Sequence, residues 1–137
     1  VLEYLNLPYT GSGVLASALC MDKLKSKQLW AGLGIPSPKH AVLNDLSNWN
    51  TIILALNGDV IVKPVHEGSS IGMSRVTTAK ELYSAYEFAK QYDREVLAEA
   101  CIVGAEYTVA ILNGQALPAT KLETGHKFYD YNAKYIE

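Results

Sequence analysis

The sequence predicts an α+β domain in which helices pack on an antiparallel-rich sheet. Strand candidates at 106–112 and 116–122 flank Asn113-Gly114, the strongest short hairpin signal in the chain. Strand candidates at 59–63 and 73–76 are also neighbours in sequence, joined by one loop. The elements run α, α, β, α, β, β, α, β, β, β. That order groups strands together, whereas a doubly wound parallel sheet would alternate them with helices.

Each element has a local reason. Residues 1–7, VLEYLNL, pattern as helix, and PYTGSG at 8–13 is a loop by composition. Helical spacing returns from about Val14 to Leu33, with Ser12 a candidate N-cap. Asp22 is placed to cap a second helix within that span. Leu24, Gln28 and Ala31 mark a face of it, and Gly32 and Gly34 are its stop signals. Pro36 and Pro38 forbid further helix, and 39–43 is a short strand candidate. Residues 45–56 form a weaker helix, since Thr51, Ile52 and Ile53 are β-branched. Asn57-Gly58-Asp59 is a turn. The strand at 59–63 is apolar on both faces, as at the centre of a sheet. Thr78 and Glu81 are spaced as a capping box, and Leu82, Ala85, Tyr86 and Ala89 share the helical face behind it. Residues 95–101 complete the strands before the hairpin. From Gly125 onward the composition is loop-like and aromatic.

The 137 residues are 49% hydrophobic, enough for a real core, and the net charge is -2. A weakly acidic chain without a basic run does not suit nucleic acid or a membrane surface. Cys20 and Cys101 have no paired spacing and are expected as reduced core residues of a cytoplasmic protein. Val1 opens inside an element and Glu137 closes without a cap. The ends therefore read as those of a piece of a longer chain.

The chemistry concentrates in VKPVHEGSSIGMSRV at 62–76. Gly68 and Gly72 let the loop backbone approach a ligand and take positive φ, and Ser69 and Ser70 add hydroxyls and amides. Such a loop is either an anion-binding concavity or a plain hairpin connection. Lys63 decides between them. Pro64 keeps it in extended geometry at the end of a buried strand, where an unpaired ammonium is costly. It needs an anion, either a carboxylate or a bound phosphate, and a lysine beside an amide-rich loop suits a nucleotide polyphosphate. Glu99 and Glu106 flank a strand junction. They are compatible with accepting hydrogen bonds from ribose or with a solvated face, and Glu95 reads as solvated. Tyr107 reads as core. Gly11 to Ala16 matches a dinucleotide fingerprint by letter but lacks the strand that should precede it. The three histidines show no ligand spacing, and Cys101 has no basic partner in sequence. Residues 128–135, FYDYNAKY, are either a lid or a crossover loop with aromatic anchors.

With these pieces in order, the chain resembles the ATP-grasp enzymes, and among them the D-alanine–D-alanine ligases. LPYTGSGVLASALCMDKLKSK, VIVKPVHEGSSIGMSRV, EVLAEACIVGAEYTVAIL and FYDYNAKYIE carry the resemblance over nearly the whole length. It implies a tail of an N-terminal domain at 1–11, a central ATP-grasp lobe at 12–103, and the start of a C-terminal lobe at 104–137. Lys23 and Lys63 would contact ATP phosphates. Glu67, Gly68, Ser69 and Ser70 would fold over them. Glu99 would lie near the adenine edge, the backbone of Ala100 and Ile102 would pair with the base, and Glu106 would bind ribose. Ser69, Lys134 and Tyr135 would be catalytic, the last two in the family's mobile loop.

The implied reaction phosphorylates one D-alanine with ATP and joins it to a second, supplying peptidoglycan precursors in the cytoplasm. The implied parent protein is a homodimer that uses Mg2+, with metal ligands outside this chain. His66 stands where a more basic residue is expected, and Ala100-Cys101 replaces a bulkier pair. The chain by itself is expected to be inactive. The alternatives are another ATP-grasp carboxylate–amine ligase or a non-catalytic nucleotide-binding fragment.

Overall fold

The computed structural model describes residues 1–123. The chain divides into two compact units, Val1–Cys101 and Ile102–Glu137.

The first unit is built on one four-stranded sheet. Its strands are β1 (His40–Leu43), β2 (Val60–Pro64), β3 (Ser74–Val76) and β4 (Val96–Ala100), in the order β1-β4-β2-β3. Every pairing is antiparallel, with Lys63 opposite Leu97 and Ile61 opposite Glu99 across the β2–β4 seam. Side chains alternate between faces along a strand, so the sheet sorts its residues in two. Val60, Val62, Val76, Val96, Ala98 and Ala100 enter the hydrophobic core. Ile61, Lys63, Leu97 and Glu99 occupy the opposite face.

Two helices close the core, α3 (Trp49–Ala55) and α4 (Ala79–Ala89). Leu82, Ala85, Tyr86 and Ala89 of α4 are all buried, as their spacing predicts. The capping box forms in full, with Thr78 accepting from the Glu81 amide and Glu81 accepting from the Thr78 amide. Helix α3 starts later than its composition suggests. Asn48 caps it by accepting from the Thr51 amide at 3.0 Å, while Asn44 and Ser47 tie the preceding residues into a turn.

The N-terminal half departs from expectation in three places. VLEYLNL makes a single helical turn, ended by Asn6 at φ 53°. Leu5 bonds back to Val1, and Leu7 to Leu2. Helix α1 (Val14–Met21) is capped by Gly13 rather than by Ser12, and no side chain at the cap position bonds to it. The Glu3 carboxylate fills that role instead, accepting from the Val14 amide at 3.0 Å. Helix α2 (Lys23–Gly32) begins where Asp22 accepts from the Lys25 amide, as predicted. Its buried residues, however, are Ser26 and Lys27. The expected face of Leu24, Gln28 and Ala31 is not the buried one, because α2 turns inward on polar rather than apolar neighbours.

In the second unit, 106–112 is not one strand. It divides into β5 (Glu106–Thr108) and β6 (Ile111–Leu112), and the return divides into β7 (Gln115–Ala116) and β8 (Thr120–Leu122). The Asn113-Gly114 hairpin joins β6 to β7 as expected, while β5 pairs with β8. Pro118 has no N–H to give a ladder, so the return strand breaks around it. Tyr107 is exposed rather than core. No helix among the described residues is long and apolar enough to cross a membrane.

Candidate functional site

The face of the four-stranded sheet opposite the main core carries the site. β2 delivers Lys63 and β4 delivers Glu99, and the two side chains form an ion pair. The other oxygen of Glu99 lies 2.8 Å from the Nζ of Lys27, which reaches across from α2. Lys27 also donates to Ser37 Oγ at 2.8 Å and to the Pro38 carbonyl at 3.4 Å. Three donors meet three acceptors, which is how a lysine only 5% exposed is tolerated. Breaking such a pair from one side typically costs about 3–5 kcal/mol.

Burial pushes the Glu99 carboxyl upward. The charge of Lys63 and the hydrogen bonds from Lys27 and Lys63 outweigh it, and the group sits below its ordinary range. It is an anion shared by two cations.

Lys23 lies one turn before Lys27 on α2. Its ammonium donates to the Val65 carbonyl at 3.0 Å and to the Glu67 carbonyl. Burial, followed by the nearby charge of Lys63, lowers its pKa. Lys23, Lys27, Lys63 and Glu99 together line a cavity of about 440 Å³, with Trp30, Pro36 and Pro38 as its apolar wall. Apolar walls with a few converging charged groups are the common make-up of a small-molecule site.

The loop after β2 is held at its root by these contacts and by His66. The His66 amide donates to Asp93 Oδ2 at 2.8 Å. Its ring spans Asp93 and the Asp22 cap of α2, with Nδ1 2.8 Å from Asp93 and Nε2 3.4 Å from Asp22. The hydrogen bond to Asp93 raises the imidazole above its ordinary value, against a smaller opposing effect of burial. Beyond it, Ser69 and Ser70 adopt φ of 52° and 60°, and Gly72 adopts 69°. The expected positive φ therefore falls on Gly72 and on the two serines, not on Gly68. Ser69 and Ser70 are the two central residues of a tight turn that the Ile71 amide closes on the Gly68 carbonyl at 3.0 Å.

The predicted residues are thus partly assembled. Lys23, Lys63 and Glu99 share one cavity, and the Glu67 carbonyl is bound to Lys23. The Ala100 amide donates to the Lys39 carbonyl at 2.9 Å within the sheet. Ile102 and Glu106 belong to the second unit, where Glu106 is exposed opposite Leu122 on β8. Lys134 and Tyr135, with the rest of 128–135, lie outside the described residues. Cys20 is exposed rather than core, and both cysteines are free thiols. Burial and the neighbouring Asp59 push the Cys101 thiol up, which does not favour a nucleophile.

A family model described as "D-ala D-ala ligase C-terminus" matches residues 29–137. The chain belongs to that family. Among curated relatives, the D-alanine–D-alanine ligase of Saccharophagus degradans is 57% identical over 99% of this chain and 43% of its own length. That of Pseudomonas putida strain GB-1 is 56% identical with the same coverage. Among solved structures, a D-alanine–D-alanine ligase from Bacillus anthracis superposes with TM-score 0.80 at 38% identity, over 96% of this chain and 44% of that one. A D-alanine–D-alanine ligase from Bacillus anthracis complexed with ATP gives TM-score 0.78 at 34% identity, over 93% of this chain and 43% of that one. The chain thus spans less than half the length of these relatives. Its helices and antiparallel sheets are those of the ligase fold.

For a D-ala D-ala ligase C-terminus chain, the residue that sequence reasoning missed is Lys27. A signal was present, since Lys23 and Lys27 are four apart and must share a helix face. Reading α2 by its apolar residues concealed it.

Proposed function

We propose that this chain is the nucleotide-binding part of a D-alanine–D-alanine ligase. The parent enzyme joins two D-alanines at the expense of ATP, supplying peptidoglycan precursors for the cell wall and so for cell shape. One observation carries the reading: Lys23, Lys63 and Glu99 line a single cavity at the root of a loop rich in left-handed residues. The relative solved with ATP adds support.

In this reading residues 12–103 form the central ATP-grasp lobe. Residues 1–11 are the tail of a preceding domain, and 104–137 begin the next lobe. Lys23 and Lys63 hold phosphate oxygens, while the backbone of Glu67, Gly68, Ser69 and Ser70 covers them. Glu99 accepts from the adenine edge beside the backbone of Ala100 and Ile102, and Glu106 holds the ribose. Ser69, Lys134 and Tyr135 orient the reacting groups. A carboxylate oxygen of the first D-alanine attacks the γ-phosphorus and ADP leaves. The amine of the second then attacks the acyl carbon and phosphate leaves. Neutralising charge and fixing geometry are what this chain's residues contribute.

A divalent cation such as Mg2+ would offset further phosphate charge when bound. Among the described residues no group of three or more His, Cys, Asp or Glu is arranged to hold one. No residue here is assigned to it. The parent enzyme is read as a cytoplasmic homodimer, with ATP and D-alanine as its partners and neither nucleic acid nor membrane.

The test is dipeptide formation by the intact protein with D-alanine and ATP, set against other amino acids and bicarbonate. Turnover with D-alanine supports the reading, and a preference for another acceptor replaces it with a different ATP-grasp ligase. The 137-residue chain alone should bind nucleotide without turnover. Phosphate release from ATP and D-alanine by that piece would overturn this.

A further inference from the structure

We propose that Lys27 is a positioning residue for the nucleotide site: it holds the Glu99 carboxylate charged and in place while Lys63 leaves that carboxylate for the polyphosphate. The inference rests on the nucleotide reading of the cavity and adds a division of labour between its lysines.

The two cations that share Glu99 are not equivalent. Lys27 is 5% exposed, and its three donors are engaged by Glu99, Ser37 and Pro38. It is fixed. Lys63 has 21% of its side chain exposed, and its ion pair with Glu99 is the one polar contact described for its ammonium. It is free to exchange partners. Lys63 and Lys23 also repel each other across the cavity. A polyanion between them relieves that repulsion and draws Lys63 off Glu99.

At that moment Glu99 would be a part-buried carboxylate with one cation fewer. Burial alone favours its protonated form. Lys27 prevents protonation, because its ammonium lies 2.8 Å from Oε2 and is anchored by Ser37 and Pro38 rather than by Lys63. Glu99 therefore remains an acceptor with Oε1 released toward the cavity. The other titratable groups around it are Lys23 on α2, His40 opposite it on β1, and Cys101 just beyond the end of β4. None of these makes a hydrogen bond to Glu99 among those described.

The experiment is an ATP titration of the intact protein, read by the fluorescence of Trp30 in the cavity wall and repeated across pH. Three variants are compared, Lys27→Gln, Lys27→Arg and Lys63→Ala. Lys27→Gln keeps a hydrogen-bond donor and removes the charge. Its ATP affinity should fall, and the acid limb of the affinity profile should move up by about one pH unit or more. Lys27→Arg should restore the wild-type limb. A Lys27→Gln profile that superposes on wild type overturns the proposal. So does a drop of equal size at every pH that arginine does not rescue, since that marks a purely structural lysine. Lys63→Ala separates the nucleotide site from the role given to Lys27. Unchanged ATP affinity in Lys63→Ala removes the nucleotide site itself. Weakened affinity there, with Lys27→Gln unchanged, removes only the role given to Lys27.

Discussion

His66 and Asp93 are joined twice, through the His66 backbone amide and through its ring, each 2.8 Å from the same carboxylate oxygen. The far ring nitrogen reaches Asp22, and Glu95 stands 4.0 Å away. Three acids thus surround one imidazole at the root of the glycine- and serine-rich loop, and together they link that loop to the cap of α2.

This cluster makes stability depend on pH near neutrality. The folded imidazole titrates above the unfolded value of 6.5. Its contribution is fully present below 6.5 and is lost as pH rises through the folded value. Thermal melts of the wild type should therefore decline on the alkaline side of 6.5. His66→Gln should be less stable in mild acid and should lack that decline. Parallel curves would show that the ring contributes nothing.

Glu99 gives the opposite slope. Its folded carboxyl lies below the unfolded value of 4.5, so its contribution is present above 4.5 and is lost as pH falls through the folded value. Glu99→Gln leaves Lys27 buried without its counter-charge and should cost about 3–5 kcal/mol at neutral pH. In acid the gap to wild type should narrow. Chemical denaturation at several pH values measures both, and a constant gap would count against the shared-anion description.

Two glycines of one loop should respond differently to alanine. Gly72 has φ 69°, and a Cβ there would meet Pro64 Cγ at 2.7 Å and Tyr92 Cδ2 at 2.8 Å. Left-handed strain of about 1–2 kcal/mol and overpacking of about 1–3 kcal/mol both apply. A Cβ at Gly68 meets nothing within 4 Å. Gly72→Ala should lower the melting temperature clearly while Gly68→Ala leaves it nearly unchanged. Equal effects would mean that the loop yields at Pro64.

In the core, Leu82→Ala removes a side chain with no exposed surface and should cost about 2–5 kcal/mol. Thr78→Ala opens the capping box four residues earlier and should cost about 1 kcal/mol. Denaturant midpoints of the two variants test the ranking, and a larger loss at Thr78 would reverse it.

The sequence was most legible where local chemistry and tertiary packing agree. Thr78 and Glu81 specify their helix without help, and the apolar run at Val60–Val62 can only be an inner strand. Lys63 at the end of that strand has the anion its position demands, and the anion in the structure is the Glu99 carboxylate. Reading failed where the partner is remote in sequence. Glu3 caps α1 across eleven residues, a contact that no window around Ser12 contains. Lys27 was passed over because its anion lies on β4, and Glu99 was left open between ligand and surface because its cations lie on α2 and β2. The break at Pro118 was visible in the letters, but the hairpin signal beside it suggested one continuous return strand.

Lys23 adds a consequence that concerns discrimination rather than attraction. An ammonium has three N–H bonds, and two of those on Lys23 are already directed at the Val65 and Glu67 carbonyls. An arriving anion meets one remaining N–H and a charge already partly solvated by two carbonyl dipoles. A ligand with a single negative charge would gain from one lysine, while one carrying several charges could engage Lys23 and Lys63 together. On the proposed nucleotide reading, the resting contacts of Lys23 would favour a ligand of several charges over a simple anion.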